Sequence, residues 1–149
     1  MNYGETPPWA EPAMDRGSCD PKPIMKIATM VIQNAVRILG VILLVLGFLF
    51  WSGRHFDLIP VHMRLGEILV SLLWIIAAMG LRAGVKPGMV LGAMFYGLIV
   101  VAYAMRMGGL LPGGAHEVVR IVHFLFGLGA IGLVEMIGAK IKRGMASRP

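Results

Sequence analysis

Charge is what this chain has least of. Of its 149 residues 15% are Asp, Glu, Lys or Arg and 57% are hydrophobic, whereas a soluble domain carries about 25% charged and about 45–50% apolar residues. Fourteen Lys and Arg with eight Asp and Glu cannot give a soluble domain of this length a polar surface. Long stretches between the charges hold almost none, which excludes a soluble globular fold and predicts an all-α integral membrane protein. Cysteine is nearly absent as well: Cys19 stands alone, which excludes an internal disulfide, a CxxC redox pair and a multi-thiolate metal site. Serine is scarce, and there is no GxSxG, Walker loop or HExxH. The hydrolase, kinase and zinc-protease signatures are therefore missing. No catalytic residue is assigned, and the expectation is an electron carrier or accessory subunit rather than an enzyme by itself.

The mean hydropathy is +0.76 and the isoelectric point about 10.0. A net charge of +6 would point to nucleic acid in a soluble chain. No basic run is interleaved with aromatics here, so nucleic-acid binding is not expected. The excess Lys and Arg read instead as topology signals and phospholipid anchors. The first 24 residues are polar, Pro-rich and slightly acidic. They lack the basic stretch and short apolar core of a secretory signal, so the first apolar segment reads as a membrane span.

A transmembrane helix needs about 20 mostly apolar residues. Four windows qualify: Ala28–Trp51, Ile59–Leu81, Met89–Met105 and Val118–Ile137. Ser52-Gly53-Arg54 closes the first and Pro60 opens the second. The segment 82–88 is a tight polar turn, and Gly108-Gly109, Pro112 and Gly113-Gly114 form the last loop. Connections this short predict an up-down-up-down four-helix bundle. With the N-terminus inside, Arg16, Lys22, Lys26, Arg37, Arg82, Lys86, Lys140, Lys142, Arg143 and Arg148 are cytoplasmic. Arg54, Arg64, Arg106 and Arg120 are then external. That bias predicts cytoplasmic termini, in a membrane of the bacterial inner type. The organisation expected is a polar tail over 1–23, a membrane domain over 24–139 and a basic tail over 140–149. The first tail, with Pro7-Pro8, Trp9 and Pro12, reads as disordered or docked on a partner.

Several polar groups inside the spans have local explanations. Gln33, Asn34 and Arg37 share one face of the first helix; Arg37 is expected to snorkel, and the two amides to bond a neighbouring helix. Glu67 can pair with Arg64, Glu117 with Arg120, and Glu135 with Arg37 or Arg82. Methionines near His62 and His116, namely Met63, Met105 and Met107, admit a copper(I) reading. No tight MxxM or HxxxM repeat supports it.

One pattern is duplicated. The second helix carries His62-Met63-Arg64-Leu65-Gly66 and the fourth carries His123-Phe124-Leu125-Phe126-Gly127. In each, a glycine lies one turn beyond a histidine on the same face. Both helices are expected to run from outside to inside, so the two histidines enter the same leaflet at similar depth. Two neutral imidazoles supply the axial ligands of a b-type haem, and glycines one turn on leave room for a flat macrocycle. His116, Arg120, His123 and Gly127 form one stripe. Arg120 lies about one turn nearer the surface than His123, where an arginine suits a haem propionate. His55 and His116 read as interfacial.

Through these two motifs the chain resembles the general plan of four-helix membrane cytochromes b. The resemblance covers about ten residues and rests on their geometry. It implies haem b held by His62 and His123, with Gly66 and Gly127 clearing the ring and Arg120 on a propionate. The role implied is electron transfer, alone or as the haem-bearing subunit of a respiratory or photosynthetic complex. Two alternatives stand beside it: a cofactor-free accessory or scaffold subunit, and coordination of a chlorophyll-type pigment by a single histidine.

Overall fold

The structure is a computed structural model that describes residues 21–110 and 116–146. Cys19, the Pro-rich tail before residue 21, and the glycines and proline of 112–114 lie outside the described residues. Four helices account for nearly all of the rest: α1 (Pro21–Trp51), α2 (Ile59–Arg82), α3 (Pro87–Arg106) and α4 (His116–Ala146). Short 3-10 turns at Phe56–Leu58 and Met107–Gly109 lead into α2 and follow α3.

The breaks fall where backbone chemistry requires them. Gly53 at φ 76° reverses the chain after α1, and His55 follows in the left-handed region at φ 58°. Pro60 sits in the first turn of α2, where its missing N–H costs no hydrogen bond. At the far end the Val85 amide donates to the Gly80 carbonyl at 2.9 Å and the Gly84 amide to Leu81 at 3.2 Å. This is a Schellman cap with Gly84 in its left-handed position at φ 82°. The Val85 side chain folds back beside Gly80, and Pro87 then opens α3.

Two helices run well beyond the apolar windows read from the sequence. α1 begins at Pro21, inside the segment assigned to the first tail. α4 continues to Ala146, through Lys140, Lys142 and Arg143, where a basic tail is expected. Packing explains the second extension: Ile141 lies four residues beyond Ile137 on the same stripe, and both are fully buried.

α2 and α4 are in contact across the short diagonal of the bundle, and α1 and α3 each pack against both of them. Contacts between α1 and α4 run in opposite order, Gln33 meeting Gly138 and Gly40 meeting Ile131. Those between α2 and α4 run in the same order, with His62 beside His123 and Gly80 beside Ile137. The four helices are long and apolar enough to cross a membrane, and at most 33% of any spanning window is buried. Large apolar side chains such as Ile38, Val41, Leu91, Phe95 and Leu125 cover the outside. The chain is a multi-pass membrane protein whose exposed surface is suited to lipid.

The two ends of the bundle are packed differently. At the end carrying the Schellman cap, close approach is the rule. A Cβ on Gly80 would stand 3.1 Å from Ile137, and one on Gly138 would stand 2.5 Å from the Gln33 amide nitrogen. Leu73, Ile76, Val134 and Ile137 are fully buried there. At the other end α1 buries nothing beyond Gly40, α2 nothing before Leu69, and α4 between His116 and Gly129 only Val119.

Polar bonds hold the packed end together. Gln33 donates from Nε2 to Glu135 Oε2 at 2.8 Å. Arg37 donates from Nε to Oε1 at 2.6 Å and from Nη2 to Oε2 at 3.0 Å. The expectation for this face is therefore corrected. Of the two pairings open to Glu135 the one with Arg37 is formed, in place of snorkelling by Arg37, and of the two amides only Gln33 bonds across helices, because Asn34 lies on the exposed side. Between helices in lipid such bonds stand in for the missing hydrophobic drive.

Candidate functional site: the histidine pair

His62 and His123 meet. Their ring centroids are 6.2 Å apart with the planes inclined at 49°. The bundle-facing stripe of α2 runs His62, Gly66, Leu69, Leu73, Ile76 and Gly80, so the face that packs at one end delivers the imidazole at the other. On α4 the stripe runs Val119, His123, Gly127, Ala130, Val134 and Ile137. α2 and α4 adjoin and run in the same direction, so two residues near their beginnings come together.

Neither imidazole is satisfied. The Nδ1 atoms of both rings are buried without a hydrogen-bond partner. A buried polar atom left unpaired costs about 1–3 kcal/mol, so two on facing rings mark this place chemically. A Cβ built on Gly66 or Gly127 would meet nothing within 4 Å. The same holds for Gly47 on α1, which continues the stripe of Val36, Gly40 and Leu43 towards this end.

Two aromatic side chains flank the pair. Phe50 stands edge-on to His62, centroids 5.4 Å apart at 72°. Tyr103 of α3 lies nearly parallel to His123, at 11° and 6.4 Å. Its hydroxyl donates to the Val119 carbonyl at 3.0 Å, one turn before His123. Seven residues earlier on α3, Tyr96 donates to the Phe126 carbonyl at 3.0 Å. Two tyrosines thus tie α3 to the stretch of α4 that carries His123. Tyr103, Phe50 and Gly47 lie on α3 and α1, outside the two helices that carry the histidine motifs. The signal available for Gly47 and Phe50 was the three-and-four spacing of the α1 stripe.

The remaining expected residues are placed as follows. Arg120, partly buried on the His123 side of α4, donates from Nη1 to Glu117 Oε1 at 3.1 Å. Arg64 pairs with Glu67 at 3.1 Å on the exposed face of α2. His116 donates from Nδ1 to the Leu110 carbonyl at 3.2 Å and takes no part in the pair. Met63 and Met105, two of the three methionines invoked for copper, are exposed, at 51% and 73%; Met107 is partly buried. Among the described residues no group of three or more His, Cys, Asp or Glu stands ready to hold a metal ion.

The arrangement offers two nitrogen ligands facing one another, open space beside them, and an arginine one turn away. In comparisons with protein-family models, curated proteins and solved structures, no match to this chain was found.

Proposed function

We propose that the chain is a small b-type haem protein of a bacterial-type inner membrane, with both termini cytoplasmic, and that it transfers electrons. It does so alone or as the haem-bearing subunit of a larger redox complex. The observation that carries this reading is the pair itself: two half-buried imidazoles 6.2 Å apart, each with a buried Nδ1 that has no hydrogen-bond partner. Two imidazoles bound through nitrogen on opposite sides of one metal ion, at about 2.0–2.1 Å each, have centroids about 6 Å apart. With two nitrogen ligands at hand and no larger ligand group among the described residues, the site suits a group that brings its other ligands with it, as a tetrapyrrole does.

In this reading His62 and His123 hold the iron, and the open flanks of Gly66 and Gly127 leave room for the ring. Arg120 uses one guanidinium nitrogen on Glu117 and retains further N–H groups for a propionate. The haem supplies a one-electron couple whose potential is set by its axial ligands and surroundings. The chain orients the imidazoles and keeps the site within apolar helices. The ten-to-four bias of Lys and Arg, with the histidine end outside, supports the orientation.

The test is an optical spectrum of the purified, detergent-solubilised protein, oxidised and then dithionite-reduced, beside His62→Ala and His123→Ala. Sharp reduced bands of low-spin haem, lost in both variants, are expected. Colour that survives one substitution but not the other favours single-histidine pigment binding. A folded, colourless protein from haem-replete cells favours an accessory subunit.

A further inference from the structure

The outward face of α2 carries an exposed ion pair in the middle part of its candidate membrane span. The span that contains α2 runs from Phe56 to Arg82 over 27 residues, and its midpoint is Leu69. Glu67 is two residues from that midpoint, about 3 Å along the axis at 1.5 Å per residue. Its side chain is nevertheless 55% exposed, and that of Arg64 is 80% exposed. The single contact between them, Arg64 Nη1 to Glu67 Oε2 at 3.1 Å, uses one of the five guanidinium N–H donors and one carboxylate oxygen. Ionisable groups at this depth are costly and normally face protein or water.

From this charge pattern we infer that a second copy of the chain covers this face, in a two-fold dimer packed along α2. A cation and an anion one turn apart are self-complementary about an axis along the membrane normal. Arg64 of each copy meets Glu67 of the other, and the four charges sum to zero. Two-fold contacts require such a surface, since the same patch serves on both sides. The rest of the face suits close approach. Arg64, Ser71 and Ala78 recur at seven-residue intervals, with Glu67, Ile68 and Ile75 between them, and all six are exposed. Ser71 and Ala78 are small enough to bring helix backbones together. The seven-residue repeat keeps one seam facing a partner helix. This inference does not rest on the haem reading, because the α2 face points away from the histidine pair.

The test uses the full chain, labelled in separate donor and acceptor batches and reconstituted at low density in phosphatidylcholine vesicles. The wild-type protein is expected to show energy transfer that falls on dilution with lipid. R64E presents two acids to its own copy, and E67R presents two bases. Each alone is expected to weaken association by about tenfold or more, since like charges across an interface are strongly unfavourable. Mixed with one another, R64E and E67R present opposite charges and are expected to recover the signal, which also shows that both variants are folded. A wild-type chain monomeric at every density, variants that associate as well as wild type, or a mixture that fails to recover overturns the inference.

Discussion

Replacing Gly127 by alanine, and separately Gly138 by alanine, asks whether the two ends of the bundle are packed as differently as they look. Both glycines lie on the bundle-facing side of α4. At Gly127 a new Cβ meets nothing within 4 Å, so the substitution brings only the helix preference of alanine over glycine, up to about 1 kcal/mol. At Gly138 the Cβ lands 2.5 Å from Gln33 Nε2 and 2.7 Å from its Cδ. The Gln33 side chain, 3% exposed, must move, which is expected to weaken its 2.8 Å bond to Glu135. Displacing a buried amide costs about 1–3 kcal/mol, so Gly138→Ala is expected to destabilise by about 1–2 kcal/mol after the helix gain. Unfolding of the haem-free protein by denaturing detergent, followed by circular dichroism, measures both. Gly127→Leu carries the same logic to the cofactor. On the proposed haem reading it is expected to leave the haem-free chain folded while lowering haem retention at least about tenfold, because the side chain would occupy the space the ring would need. If Gly127→Ala is as damaging as Gly138→Ala, the space beside Gly127 is filled and the contrast is wrong. If Gly127→Leu keeps its full complement of haem, the glycine does not border the site.

Glu135→Ala is expected to cost about 1–3 kcal/mol in the same unfolding assay, chiefly because the buried Gln33 amide loses its acceptor. Arg37 is more than half exposed and adds little, so Arg37→Ala alone is expected to cost distinctly less. In a Cys19→Ser background, a cysteine at Ser52 is expected to react with a membrane-impermeant maleimide added outside intact cells. One at Lys140 is expected to react only after the membrane is opened; the reverse pattern inverts the orientation.

The four spans were legible because lipid leaves the sequence little freedom. Once charge is confined to short intervals, helix number and turn positions follow from where Gly, Pro and Arg interrupt the apolar runs. The histidine motif was legible in the same way, since a helix fixes which face His62 and Gly66 share. What a single helix does not encode is its neighbour. The meeting of His62 and His123 depends on α2 and α4 closing the short diagonal, a consequence of how Leu73, Ile76, Val134 and Ile137 pack at the far end. Tyr103 comes from α3, and nothing in its local sequence marks it as a companion of His123. Arg37 illustrates the same limit. The sequence allows it the headgroups or Glu135, 98 residues away, and Glu135 either Arg37 or Arg82; only the packing of α1 on α4 selects the Arg37–Glu135 pair.

The division of labour along the bundle follows from the physics of association in lipid. Apolar side chains gain nothing by leaving lipid for one another, so these helices are held by close backbone contact and by polar bonds. The Schellman-cap end has both, in its tightly approached glycines and in the bonds of Gln33 and Arg37 to Glu135. The histidine end has the Tyr103 and Tyr96 bonds from α3 to α4, but among the described residues no hydrogen bond joins α2 to α4 there, where the two unpaired imidazole nitrogens lie. A bundle needs one well-joined end to fix the register of α2 and α4, and with that fixed the other end is free to stay open. A ligand that bonded both imidazoles would add the cross-helix link this end lacks. Its binding energy would then appear directly as stability of the folded bundle.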